Sequence, residues 1–398
     1  MGTWLPFGYA VRELKHFTGT DVSRVSEERL TEEAGAAYVH IQDEAVQQLE
    51  HEAPEPPVKP DKLLMSVDGA MVSIVGGNWV EVKSLVVGEV QPPRGHKGEL
   101  IVETCNLSYF SRLAEAATFE RLALVETHRR GVESAQAVGF ITDGSEWCQG
   151  FADYHRPNAV RILDFPHAGE HLNQVGQAVF GEGKPEASAW LSDRLHQLKH
   201  TGPATTLDNV RQLAAARPEL TDLPKHLAYL EKREAQLQYP AFRAAGWPIG
   251  DGAVESGNKL VVEKRLKGSG MHWAPPHINP MLALRNIACN DRWEEAWPQI
   301  AQRLQQQVAQ RRAQTRRSRT PRGAAVRQPP TPPVNNQAAA PPPTPPNPSV
   351  STAALRPVVS VPPPAKAPHR PAANHPWRRT EVRRTRPKST TSYASAKP

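Results

Sequence analysis

The stretch Leu63-Leu64-Met65-Ser66-Val67-Asp68-Gly69-Ala70-Met71-Val72 decides how this chain is read. It is apolar, too short for a core helix and bounded by polar turns, so it predicts a buried strand. Near its middle stands one carboxylate, Asp68. A carboxylate there is unfavourable unless a partner or an ion compensates it. Two later stretches repeat the arrangement. Ala137-Val138-Gly139-Phe140-Ile141-Thr142-Asp143-Gly144 ends an apolar strand on Asp143, and Gly250-Asp251-Gly252-Ala253-Val254-Glu255-Ser256 opens a helix carrying Glu255. Three acids on two strands and a helix point to a metal site.

Outward from Asp68, Gly76-Gly77-Asn78 predicts a hairpin turn and residues 79–88 a second strand. Residues 100–104 supply a third strand, completing an antiparallel meander. A helix over 110–130 follows, with Leu113, Ala117, Leu122, Leu124 and Val125 on its packed face. Strands at 137–142 and 159–163 flank a short helix near 146–153, so the order is β-β-β-α-β-α-β. From Asp164 to about Gly250 the pattern is helical, with Leu191, Leu195 and Leu198, and Leu223, Leu227, Leu230 and Leu237, on stripes that read as ordinary core. Glu255 opens a helix through Leu266 that Gly268-Ser269-Gly270 ends, and 280–309 is a last helical stretch.

Ahead of the strand, residues 7–36 read as two or three short helices: Phe7 to Thr18, a turn at 19–22, and a start at Ser26. This outline fits a helix-turn-helix DNA reader and equally a plain helical hairpin. A further helix runs to about His51, and Pro54-Glu55-Pro56-Pro57-Val58-Lys59-Pro60 is a linker.

Charge divides the 398 residues unevenly. Of the 48 Lys and Arg, 17 lie after residue 310 with one of the 41 acids, Glu381, leaving 31 basic and 40 acidic groups before it. The net +7 therefore belongs to the tail and is no argument for nucleic-acid binding by the folded part. With Pro-Pro-Pro at 341–343 and 362–364, the tail reads as disordered. Cys105, Cys148 and Cys289 lack Cys-x-x-Cys or zinc spacing, which argues against disulfides and structural zinc and suits a reducing cytosol. Neither a secretion signal nor an apolar run of about 18 residues is present.

Ser66-Val67-Asp68-Gly69-Ala70-Met71-Val72, Gly76-Gly77-x-Trp79-x-Glu81-Val82-Lys83, Thr142-Asp143-Gly144-x-x-Trp147 and Glu255-Ser256-Gly257-Asn258-Lys259 together resemble insertion-sequence transposases of the Kra type, within the Mutator-related DDE group. The resemblance covers residues 4–300. It implies an RNase H-like mixed α/β sheet core interrupted by an all-helical insertion, with catalytic, metal-binding acids at Asp68, Asp143 and Glu255. It also implies two Mg²⁺ ions, replaceable by Mn²⁺. The partners implied are double-stranded DNA, at element ends and target, and a second copy of the chain in the DNA complex. The setting implied is a bacterial cytoplasm, at the nucleoid. Asp164-Phe165-Pro166-His167 matches an Asp-x-x-His signature of a related group, giving Asp164 and His167 a supporting role. Two ions about 3.5–4 Å apart, as phosphodiester cleavage needs, require such a cluster of hard oxygen ligands.

The resulting divisions are 1–53, a small helical, helix-turn-helix-like piece; 61–167, the first part of the core; 168–249, the insertion; 250–309, the last part of the core with the Glu helix; and 310–398, the basic tail. The short start is the pattern of a truncated or mis-started copy, and the tail that of a frameshift or fusion. Each residue has a plainer reading. An Asp before Gly forms turns, Asp251 competes with Glu255 for the ligand role, and Asp164 suits a helix cap with His167 beside it. His171, four residues past His167, finds no zinc partners. Trp79, Trp147, Trp190 and Trp273 suit either the core or stacking on an unpaired base. Lys259, Lys264, Arg265 and Lys267 form the best phosphate-contact stretch of the folded part. The tail's arginines either attract DNA or keep the chain soluble. Two other functions compete: a transposase turned DNA-binding protein, and a ribonuclease or junction resolvase. The latter has no need of an insertion of about 85 residues.

Overall fold

The computed structural model describes residues 1–96 and 99–319. Two twelve-residue strands, β1 (Lys62–Ser73) and β2 (Trp79–Val90), pair antiparallel at its centre. Gly76 and Gly77, at φ 96° and 83°, occupy the left-handed region that the tight connection requires. A two-stranded ribbon, β3 (Arg94–His96) with β4 (Glu99–Ile101), precedes β5 (Thr104–Arg112), which pairs antiparallel with β2. On the other side of β1, β6 (Ala137–Thr142) and β7 (Val160–Leu163) run parallel to it. The order is β5-β2-β1-β6-β7, a five-stranded mixed sheet in an α/β fold.

The third strand expected at 100–104 is displaced. Leu100 and Ile101 fall in the small ribbon, and the sheet takes its third strand from Thr104 onward. What supports this edge strand comes from far along the chain. On α13 (Pro275–Cys289), Asn279 and Asn286, with Asn290 just beyond it, turn their amides to β5. Asn290 accepts from Tyr109 N–H and donates to its carbonyl, both at 2.8 Å. Asn286 does the same to Ser111 at 3.0 and 3.1 Å, and Asn279 to Leu113 at 2.8 and 3.0 Å. Three amides on one helix face thus act as a substitute strand, closing an edge that would otherwise be open to another chain.

Alternation along the strands sorts the layers. Leu63, Met65 and Val67 face a core with Leu85, Phe110, Val138 and Phe140, covered by α3 (Ala116–Leu122), α4 (Leu124–Arg129) and α5 (Glu146–His155). The single helix read over 110–130 is these two pieces, because β5 continues to Arg112 and the helix breaks at Ala123. On the opposite face, Leu64, Ile141, Ile162 and Leu163 meet the helical segment, namely α6 (Phe165–Phe180), α7 (Pro185–His200), α8 (Pro203–Ala216), α9 (Leu223–Lys232), a 3-10 turn at Glu234–Leu237 and α10 (Tyr239–Ala244). Farther along the same face, Ala70, Val72 and Val82 pack on one helical rod: α11 (Gly252–Gly257), a π-helical segment Asn258–Glu263, and α12 (Lys264–Leu266). A seam between these two packed regions runs over Asp68.

At the amino end, α1 (Phe7–Thr18) is closed by Gly19 at φ 71°, and α2 runs unbroken from Arg24 to Glu52, capped by Ser23 rather than started at Ser26. The first expected helix, Phe7–Thr18, is present as α1; the 29 residues of α2 replace the short helix from Ser26 and the separate helix to His51, because α13 and α14 (Trp293–Arg319) support its middle through Ala34, Ala37, Leu284, Ile287, Ala296 and Ile300. A Cβ on Gly35 would fall 2.1 Å from the Pro280 carbonyl oxygen, so only glycine permits this crossing. The turns of α2 before Ala34 remain outside that packing. Beyond residue 319 the expected tail lies outside the described residues; 310–319 continue α14. No helix among the described residues is long and apolar enough to cross a membrane.

His155 gives this core a pH dependence. Its Nε2–H donates to Glu120 O at 2.9 Å and its Nδ1 accepts from Thr127 Oγ1 at 3.0 Å. Burial holds its pKa down at about 4, below the unfolded value near 6.5. A group depressed on folding contributes stability above the unfolded pKa and loses it as pH falls towards the folded one. Urea unfolding between pH 7 and 4 is expected to show a loss of about 3 kcal/mol from this group. In His155→Gln that part of the slope should disappear; an unchanged slope would exclude the histidine as its source.

Candidate metal centre

The strand register brings the acids together. β1 and β6 pair as Ser66↔Ile141, so two residues on Asp68 comes opposite Asp143. β6 and β7 pair as Thr142↔Leu163, so one residue on Asp143 comes opposite Asp164. With neighbouring strands about 4.8 Å apart, three carboxylates form a row along the carboxyl edge of the parallel strands. Each ends or interrupts an apolar run, which is why the backbone can bury the strand and still present the acid.

Asp68 is half-buried, with Oδ1 accepting from Gly69 N–H and Oδ2 from Asn258 Nδ2, each at 2.7 Å. Burial, followed by the Asp143 charge, pushes its pKa up, against the hydrogen bonds that favour the anion. Asp143 Oδ1 accepts from Ser145 N–H at 2.9 Å and lies 3.6 Å from the Cys148 thiol. That thiol is buried, and desolvation and the Asp143 charge push its pKa far up, so it stays protonated. The helical segment fixes the loop after β6 from above: Tyr229 donates its hydroxyl to Asp143 O, and Arg233 Nε donates to Gly144 O at 2.9 Å. Tyr229 in turn stacks on His171 at 3.7 Å and lies under the Arg233 guanidinium.

Asp164 is fully buried and caps α6, accepting at Oδ2 from His167 N–H at 3.0 Å and from His167 Nδ1 at 2.7 Å. Its Oδ1 accepts from Asp251 N–H at 2.8 Å, tying β7 to the start of α11. The cap role weighed for Asp164 is therefore real, and it also orients His167. That hydrogen bond raises the His167 pKa to about 9. Asp251 is 2 % exposed, and burial and the Asp164 charge raise its pKa to about 8. Its Oδ1 has no hydrogen-bond partner. Asp164 thus pushes both neighbours the same way, favouring the protonated forms of His167 and Asp251.

Glu255 stands elsewhere. It lies on α11 one turn past Asp251, its side chain 49 % exposed and 3.8 Å from Lys259 Nζ. Among the described residues, the group whose ligand atoms all lie within 4.8 Å of one another is Asp164, His167 and Asp251, and Glu255 is not in it. Gly257 lets the rod approach the sheet: a Cβ there would come 2.7 Å from Val86 Cγ2. The π-helical turn that follows delivers Asn258 to Asp68. Such segments widen a helix and leave carbonyls without their usual donors; here Arg285 of α13, fully buried, donates to Val261 O at 3.1 Å and to Leu260 O.

Of the basic stretch, Lys259, Lys264 and Lys267 are exposed, and Lys267 is paired with Glu263 at 2.6 Å. Arg265 is a correction. It is 2 % exposed, lies over the rings of Phe7 and Trp273, and donates to Gly2 O at 2.8 Å, so it joins the amino-terminal segment to the core and does not face a phosphate. Trp273 is buried and donates to Leu266 O, Trp147 packs on Phe119 and Trp190 on Phe180; Trp79, at 57 % exposed, is the one of the four open to solvent. Sequence reasoning missed Asn258, Tyr229 and Arg233. Only Asn258 carried a signal, its place in the Glu-Ser-Gly-Asn-Lys run. No family model matches the chain, and no curated protein matches it.

Proposed function

We propose that this chain is a metal-dependent DNA transposase with an RNase H-like core, cleaving phosphodiester bonds at the ends of an insertion element and joining the freed 3′-hydroxyl to target DNA. The observation that carries the reading is the register that aligns Asp68, Asp143 and Asp164 on adjacent parallel strands, under a helix that brings further acids. The strand order, with β2 alone between β1 and the edge strand, supports the RNase H-like assignment.

Divalent ions fit the donor set. Crowded carboxylates, Asp68 half-buried and Asp251 buried, whose pKa values are pushed up are those that a cation would relieve. The Asp251 oxygen without a donor is a ligand atom in search of a partner. Asp68 and Asp143 are the residues to hold Mg²⁺, with Glu255 or Asp251 completing the set. When bound there, two such ions supply an activated water or 3′-hydroxyl and charge neutralisation at the leaving oxygen. The protein's own part is positional. Asn258 and Gly69 aim the Asp68 carboxylate, Ser145 aims Asp143, and Tyr229 and Arg233 fix the loop that carries it. Lys259 and Lys264 lie exposed on the same rod as Glu255, suited to a DNA phosphate. Bringing two DNA ends together calls for two copies of the chain, working on DNA at the bacterial nucleoid.

The test is incubation of the full chain with a labelled duplex drawn from the DNA flanking its own gene, with Mg²⁺, with Mn²⁺, and with excess chelator. Strand cutting in either metal and none in chelator is expected. Binding of the duplex without cutting in both metals would replace the enzyme by a DNA-binding protein.

A further inference from the structure

Among the described residues, Asp251 is a buried carboxylate with an oxygen that has no partner. It is 98 % buried by its 2 % exposure, yet Oδ1 meets no donor. Its backbone N–H is used by Asp164, and its neighbour Glu255 turns out to solvent. The cap geometry accounts for Asp164 but gives the Asp251 carboxylate nothing to do. Protein interiors rarely leave a polar atom so placed without a function or a bound group.

We infer that Asp251, His167 and Asp164 form a site for a divalent transition ion of the Mn²⁺ type, and that Asp251, rather than Glu255, is the acid that the rod contributes to this chain's metal centre. The inference deepens the nuclease reading and rests on it only for the ion's role in catalysis, not for its binding. Three observations carry it. The three side chains each offer a ligand atom within 4.8 Å of the others'. Asp164 occupies His167 Nδ1–H, leaving Nε2 as the ring's ligand atom, the carboxylate–histidine arrangement that orients metal-bound imidazoles. Three of the about four acceptor positions of Asp164 are taken by N–H groups, so its main task is to orient His167 while Asp251 supplies the free oxygen. The His167 side chain is 34 % exposed, and gives the ion and its waters a way in, while Asp251 forms the buried wall. One imidazole nitrogen with carboxylate oxygens favours Mn²⁺, Co²⁺ or Zn²⁺ over Mg²⁺, which prefers oxygen alone.

The experiment is titration of the metal-free full chain with Mn²⁺, followed by calorimetry and by electron spin-echo spectroscopy of the bound ion. Wild type is compared with Asp251→Asn, His167→Gln and Glu255→Gln, each checked for folding by circular dichroism. Expected are a histidine nitrogen signal on the bound Mn²⁺ that His167→Gln abolishes, and a loss of affinity of about tenfold or more in both Asp251→Asn and His167→Gln, with Glu255→Gln close to wild type. His167 is partly exposed, so its variant keeps the test decisive if Asp251→Asn does not fold. Unchanged binding in the folded His167 variant, absence of the nitrogen signal, or an equal loss in Glu255→Gln would overturn the site. Binding as expected with no DNA cutting would leave the site standing and remove the nuclease reading instead.

Discussion

Arg285→Met is expected to lower the unfolding free energy by about 4 kcal/mol, the largest single effect on stability in the molecule. Arg285 is 0 % exposed. It donates to Val261 O and Leu260 O in the π-helical turn and to Thr3 O at 3.4 Å, and its guanidinium lies 4.2 Å from the Trp4 ring. Methionine fills similar volume but donates nothing, so buried carbonyls are left unsatisfied at about 1–3 kcal/mol each. Lysine should not rescue it, since a point charge cannot fork between two carbonyls and a third. Urea unfolding measures the change; a loss below about 1 kcal/mol, the size of an ordinary substitution, would show that the turn does not depend on Arg285. Because the same turn carries Asn258 to Asp68, the variant's DNA cutting should fall further than its folded fraction does.

Asp68→Asn should move activity and stability in opposite directions. Cutting of the duplex is expected to fall by about 10³-fold, as when a group acting directly on the reacting centre is removed. The metal-free fold should gain stability at neutral pH. The sign follows from the direction of the shift: Asp68 is raised on folding by burial and by Asp143, so the native state is penalised for ionising it. That penalty is absent below the unfolded pKa of about 3.9 and is complete once pH has risen past the folded value. Thermal melts of wild type and variant should therefore converge in acid and separate near pH 7, with the variant higher. Added Mn²⁺ should stabilise the wild type more than the variant and shrink the gap. A variant less stable than wild type without metal would mean that the Asn258 and Gly69 hydrogen bonds outweigh the crowding.

Which features the sequence displays follows from how local their causes are. The β1–β2 hairpin is legible because an apolar run, two glycines and a second run are contiguous. Asp68 and Asp143 stand out because a carboxylate within or ending an apolar strand conflicts with burial unless something compensates it. The β5 strand does not stand out: Thr104–Arg112 mixes Asn, Ser and Arg with its apolar residues, and what makes it a strand is the asparagine face of α13, 166 to 181 residues later. Arg265 reads as part of a basic run because its neighbours Lys264 and Lys267 are; only folding places it between Phe7 and Trp273. Likewise nothing in the sequence shows which of Asp251 and Glu255, one turn apart, is buried. The end of the helical segment and the Asp164 cap decide that the first is buried and the second exposed.

The most direct test of the central claim is cutting of the labelled flanking duplex in Mg²⁺ by the wild-type chain and by Asp143→Ala, at matched folded protein. Asp143 is the member of the row whose backbone is fixed by Tyr229 and Arg233 independently of its carboxylate, so the substitution removes the acid and leaves the loop in place. Metal-dependent cutting by the wild type that is lost in Asp143→Ala is the result predicted. Equal cutting by both proteins would contradict the account, since the acids aligned by the sheet would then not be the groups that cleave DNA.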